Sequence, residues 1–178
     1  MDRQTFRDFA NRRILQTTLE ITGQTYPNMP IQFPPYCCLV FGEDEITIYK
    51  IVPLTNTKKS KKIYDVIAYR DIEEIEISPV KKLSFVIIAL GTRLNLDLII
   101  SLSDGTILHF ECEDMVMLPQ LSSLLSMLQV PFKDPFDLVE VFEKSTSDRA
   151  AYDYLEENLE KIAEQKNIKL LRLTQMED

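Results

Sequence analysis

The chain's one histidine, His109, stands two residues before Glu111. On an extended strand, residues i and i+2 share a face. An imidazole and a carboxylate would then lie side by side, the pairing that general acid–base catalysis uses. Nothing else nearby in sequence converges on the pair, so the plainer reading is a solvated surface histidine. A His-based metal site lacks further ligands at the customary spacing. Cys37 and Cys38 are neighbours, and a strand sends at most one of them inward; Cys112 alternates with Leu108 and Phe110 as a small core residue. Without an adjacent base, these thiols read as structural. No glycine-rich phosphate loop, Gly-x-Ser-x-Gly elbow or His-Glu-x-x-His motif occurs. No catalytic residue, metal or cofactor is therefore expected. The strand acids Glu74, Glu76, Asp97 and Glu111 are the only material for an acidic active site.

Two other groups of residues suggest binding. Lys58, Lys59, Lys61 and Lys62, with Lys50, place five lysines and no acid between positions 50 and 62. Such a cluster could hold an anionic lipid head group or a polyphosphate, giving weak contact with an anionic membrane surface. The plainer reading is a solvated loop tip. The second group is apolar. In the stretch 85–90, Phe85, Ile87 and Ala89 occupy one strand face and Val86, Ile88 and Leu90 the other. Something must cover the outer face: a flanking helix of the same chain, or a partner. Val86, Ile88 and Leu90, with the helical stripe Tyr152, Leu155, Leu159 and Ile162, are thus candidate interface residues.

Composition narrows the classes. With 178 residues, 45% hydrophobic and 27% charged, the chain can build a core and is not of disordered composition. The formal charge is −8: +1 over residues 1–21, −4 over 22–136 and −5 over 137–178. An acidic surface repels phosphate, so nucleic acid is not an expected partner. Three irregularly spaced cysteines form no disulfide framework. No apolar run approaches the roughly 20 residues that span a bilayer, and no apolar segment backs the N-terminal charges. The expected location is cytoplasmic.

The elements that must position these residues follow from periodicity. Residues 2–21 read as a helix ending near Gly23, followed by a proline-rich extended connection at 26–35. Seven short strands then alternate with turns: 36–41, 45–52, 63–69, 72–78, 83–90, 94–102 and 106–113. Pro79 and Gly91-Thr92-Arg93 serve as breaks, and Asp104-Gly105 is the strongest hairpin signal. A leucine-striped helix (Leu118, Leu121, Leu124, Leu125, Leu128) follows. A second helix opens at Asp134-Pro135, and a third near Ser147. Residues 168–173 suit either a helical continuation or a strand.

Seven strands closed by one helix over residues 36–128 resemble the pleckstrin-homology-like (PH-like) superfamily, particularly its bacterial and GRAM-like members. Tyr69-Arg70-Asp71-Ile72 with Ile75 and Ile77 is similar to the family's entrance into a mid-barrel strand. Leu102-Ser103-Asp104-Gly105 before Leu108-His109-Phe110 is similar to its last hairpin. Tryptophan, usual in the closing helix of eukaryotic PH domains, is absent. The resemblance implies an α+β fold: a seven-stranded antiparallel PH-like β-barrel capped by a helix, with an N-terminal helix and C-terminal helices. Residues 1–32 would be a helix and connection, 33–130 the barrel, and 131–178 a helical extension. The expected role is a non-catalytic interaction module that binds a protein partner or a second copy of itself. Anionic-ligand binding through the lysines is the alternative, and an enzyme the last choice.

Overall fold

The computed structural model describes residues 2–27, 35–51, 59–86 and 89–173, with side chains described throughout these except at 59–61, 83–86, 89–92 and 171–173. The first elements are α1 (Arg3–Ala10), β1 (Ile14–Ile21), β2 (Gln24–Tyr26), β3 (Cys37–Phe41), β4 (Glu45–Ile51) and β5 (Lys59–Ala68). A 3-10 turn at Tyr69–Asp71 leads to β6 (Ile72–Val86), β7 (Ala89–Leu102) and β8 (Ile107–Cys112). Then come α2 (Leu118–Met127), β9 (Phe132–Lys133), α3 (Leu138–Lys144), α4 (Asp148–Lys166) and β10 (Leu171–Leu173).

The expected N-terminal helix is only half present. Asp2 caps α1 by accepting from the Thr5 amide at 2.9 Å, and the helix buries Phe6 and Ala10. From Ile14 the chain is a strand, burying Leu15, Thr17, Leu19 and Ile21 in alternation, with Thr18 buried as well. Four β-branched residues in eight (Ile14, Thr17, Thr18, Ile21) favour that outcome. So does the slot it fills, because β1 lies parallel to both β3 and β8. Gly23 stops no helix; at φ +83° it turns β1 into β2.

The seven-stranded antiparallel barrel is not what forms. The described strands make one mixed sheet in the order β10-β6-β7-β8-β1-β3-β4-β5, with β2 alongside β1 and β9 alongside β6. The ladder does not close. β1, read as helix, supplies the parallel pairings at its centre. The expected break at Pro79 is absent: β6 runs through it, pairing Pro79 with Leu96. The Ile75 amide donates outward to the Pro131 carbonyl at 2.9 Å. Alternation puts Pro79 on that same outward side, so its missing N–H costs β7 nothing; it falls between the pairings with β9 (Ile75, Glu76) and β10 (Val80–Lys82). The expected turn at Gly91-Thr92-Arg93 is also absent. These residues pair with Ser84, Leu83 and Lys82, so the predicted fifth strand is divided, its start in β6 and its end in β7.

Connectivity bends the sheet. β5 and β6 are six strand spacings apart in the ladder, about 29 Å if it were flat. The connection from Ala68 to Ile72 through the turn Tyr69–Asp71 spans at most about 14 Å. The sheet must therefore roll until its ends approach at that corner, where the Ser103 amide donates to the Asp71 carbonyl at 3.0 Å. α1 lies in the roll, packed against both β5 and β8. Phe6 stacks on Tyr64 with centroids 4.8 Å apart, and Tyr64 stacks on Tyr36 at 5.8 Å. Arg7 Nε lies 2.6 Å from Asp65 Oδ2 on β5, and its Nη1 3.1 Å from Asp104 in the β7–β8 turn; Arg3 also pairs with Asp65.

The remaining helices cover the leucine face of the sheet. α2 buries Leu118, Leu121 and Leu125, and α4 buries Ala151, Leu155, Leu159 and Ala163. Asp134 caps α3 from a distance, accepting from the Leu138 and Val139 amides at 2.9 and 2.8 Å. Ser147 caps α4 through the Ala150 amide. Residues from all three predicted segments share one core, with Phe6, Leu98 and Leu155 among its fully buried members.

Candidate functional site

β7 separates two chemistries. Leu94, Leu96, Leu98 and Ile100 are buried on the core face. Asn95 and Asp97 point the other way. The Asp104-Gly105 hairpin, with Gly105 at φ +84°, sets the register of β8 so that Asp97 faces Glu111 and Ile99 faces His109. On β6, Ser78 faces Asp97 and Lys82 shares their side. The polar residues of three strands thus meet on one face.

They are not merely solvated. Asn95, Asp97 and Glu111 are 0%, 2% and 3% exposed. Lys82 Nζ donates to both Glu111 oxygens at 3.1 Å, and Asn95 Nδ2 donates to Glu111 Oε1 at 2.5 Å. His109 Nδ1 lies 3.2 Å from Asp97 Oδ2. Around this centre Glu113 receives Arg93 (3.2 Å) and Gln16 (2.7 Å), and Glu74 receives Lys133 (2.8 Å). The hydrogen bond that His109 donates to Asp97 holds the imidazole pKa above its ordinary value; the fields of Asp97 and Glu76 act the same way, and partial burial opposes them. Two buried acceptors, Asn95 Oδ1 and Asp97 Oδ1, have no donor among the described residues.

His109 therefore pairs with Asp97, the diagonal neighbour on β7, where Glu111 had been the expected companion. Ser78 is no nucleophile for the pair: it lies on the far side of Asp97, two strand spacings (about 10 Å) from β8. The three thiols are buried, and burial pushes Cys37 up to about 12 and raises Cys38 and Cys112 as well. Among the described residues, no cluster of three or more His, Cys, Asp or Glu could hold a metal, and no helix is long and apolar enough to cross a membrane.

The other candidate residues are dispersed. Lys58 and Ile88 lie outside the described residues. Lys59 and Lys61 stand on β5, and Val86 and Leu90 at the paired ends of β6 and β7, with side chains outside the description. Lys62 is exposed on β5, the last strand of the ladder, where lysines discourage edge-to-edge pairing. The α4 stripe is engaged within the chain. Leu155 and Leu159 are fully buried, and Ile162 packs against the core. The Tyr152 hydroxyl accepts from the Met115 amide at 2.8 Å and donates to Asp114 at 3.3 Å, its ring edge-to-face with Phe142.

Comparison with protein-family models, with curated proteins and with solved structures finds no match to this chain. Lys82 and Asn95 were not singled out in the sequence. The signal for Asn95 was available, since the hairpin register carries it beside Glu111.

Proposed function

We propose that this protein is a non-catalytic interaction module and that the polar face of β6, β7 and β8 is its recognition surface. One observation carries the reading. Asn95 and Asp97 sit on rigid strands with buried acceptor oxygens that nothing in the described chain satisfies. Buried polar atoms are nearly always paired, so a donor from another molecule is the natural complement. The residues around them supply recognition chemistry without a nucleophile: a half-exposed imidazole, a lysine, and paired rim charges at Arg93 and Glu113. A protein partner fits a broad strand-borne face better than a small metabolite does, because the latter calls for a concave pocket.

The test uses the rim, where Arg93 is 43% exposed by side chain and its partner Glu113 13%. Circular dichroism and the His109 NMR signal first check that Arg93→Glu keeps the fold and the buried centre. Full-length wild type and variant are each used for affinity capture and for size-exclusion chromatography with light scattering. The proposal expects a partner, or a second copy, held by wild type and lost from Arg93→Glu. A monomeric wild type that retains nothing, or retention indifferent to the charge reversal, overturns it.

A further inference from the structure

Resting on that reading, we propose that the face contains a subsite for a guanidinium group, the side chain of an arginine on a protein partner, built from Asn95, Asp97 and Glu111. Asn95 and Asp97 are two residues apart on one face of β7, which sets their Cβ atoms about 7 Å apart. Glu111 stands opposite Asp97 on β8 and is tied to the Asn95 amide at 2.5 Å, so the three side chains surround one spot. Each is more than nine-tenths buried, and two of them carry an oxygen without a donor among the described residues.

The electrostatics select a cation. On this face Glu74, Glu76, Asp97, Glu111 and Glu113 outnumber Lys82, Arg93 and Lys133, and the histidine is neutral above its pKa. The face already accepts an alkylammonium, since Lys82 Nζ sits 3.1 Å from both Glu111 oxygens. Two acceptors on separate side chains remain. An ammonium is a point charge, whereas a guanidinium presents five N–H groups in a rigid plane and can address both. A divalent metal is a poor rival, because no three ligating side chains among the described residues are placed to hold one. The nearest partly exposed side chains on this face are Lys82 and His109, at 27% and 34%, and entry to the subsite requires displacing one of them.

The experiment titrates N-acetyl-arginine amide into the full chain, with the isosteric, uncharged N-acetyl-citrulline amide as control. NMR follows the His109 imidazole and the Asn95 side-chain amide. The arginine compound should shift both signals saturably at millimolar concentration, and the His109 titration should move to lower pH as a second cation approaches Asp97. Citrulline should do neither. Asp97→Asn, nearly isosteric, should weaken binding at least about tenfold, as loss of a charge-assisted pair requires. Unmoved signals, or equal shifts with citrulline, overturn the subsite. Because the wild-type titration needs no variant, a misfolded Asp97→Asn cannot obscure the result. If Arg93→Glu abolishes partner capture while the arginine compound leaves both signals still, the subsite falls and the module stands. If arginine binds but capture ignores Arg93→Glu, the subsite stands and the partner reading falls.

Discussion

Replacing Lys82 by methionine tests whether the strand-face network is a coupled unit. Lys82→Met keeps the aliphatic stem and removes the charge. Among the described residues, Glu111, with a side chain 4% exposed, then keeps only the Asn95 amide. Breaking a buried ion pair from one side costs about 3–5 kcal/mol, because the abandoned charge stays desolvated. Lys82 is itself 27% exposed, so water reaches this pair and the loss should be nearer ~2 kcal/mol. With a urea slope of ~2 kcal/mol/M for a chain of this size, the unfolding midpoint should drop by about 1 M. Neutralising both partners in Lys82→Met/Glu111→Gln removes the stranded charge and still offers Asn95 an acceptor. The double variant should recover to within about 1 kcal/mol of wild type. Urea unfolding followed by circular dichroism measures all three proteins. A Lys82→Met variant within about 0.5 kcal/mol of wild type, or a double variant no better than the single, would refute the coupling.

Three further outcomes follow from the geometry. Phe6 is fully buried against Tyr64, so Phe6→Ala should cost about 3–5 kcal/mol and speed hydrogen exchange in α1 before the rest of the sheet; slow exchange in α1 of the variant would show that the helix is held by other means. The raised His109 pKa stabilises the fold while pH is below the ordinary value of 6.5, and that contribution is lost as pH rises through the folded-state value. His109→Gln should therefore lose more stability at about pH 5.5 than at about pH 9, and a pH-independent difference in urea midpoints would contradict the Asp97 pairing. The three buried thiols should resist Ellman's reagent in the native protein at about pH 8 and react fully in denaturant; rapid native reaction would place at least one of them at the surface.

Much of the strand content was legible because alternation is a local property. β3, β4 and β8, and the stripe of α2, follow from period alone. Fold class beyond α+β was not, because three long-range facts decide it. Residues 2–21 read as one helix; only the slot between β3 and β8 makes residues 14–21 a strand. Pro79 reads as a break unless one knows that its nitrogen faces the outer edge of β6. Gly91 reads as a turn unless Ser84 stands opposite. At the candidate site, His109 and the acids Asp97 and Glu111 were visible as residues, and their outward direction was right. Their burial was not visible, nor was Lys82, which comes from a strand whose register depends on the misread hairpin.

The position of β1 has a consequence for the order of assembly. β3-β4-β5 and β6-β7-β8 are each antiparallel runs of strands adjacent in sequence, able to form from local contacts. Within the ladder only β1 joins them, through parallel pairing to β3 on one side and β8 on the other. Residues 14–17, made before residues 109–112, must wait for them before their hydrogen bonds to β8 can close. Such distant pairings form late and slowly. Until then the β1 edge of one meander and the β8 edge of the other stand bare, and the seam between β1 and β8 is expected to be the last to close.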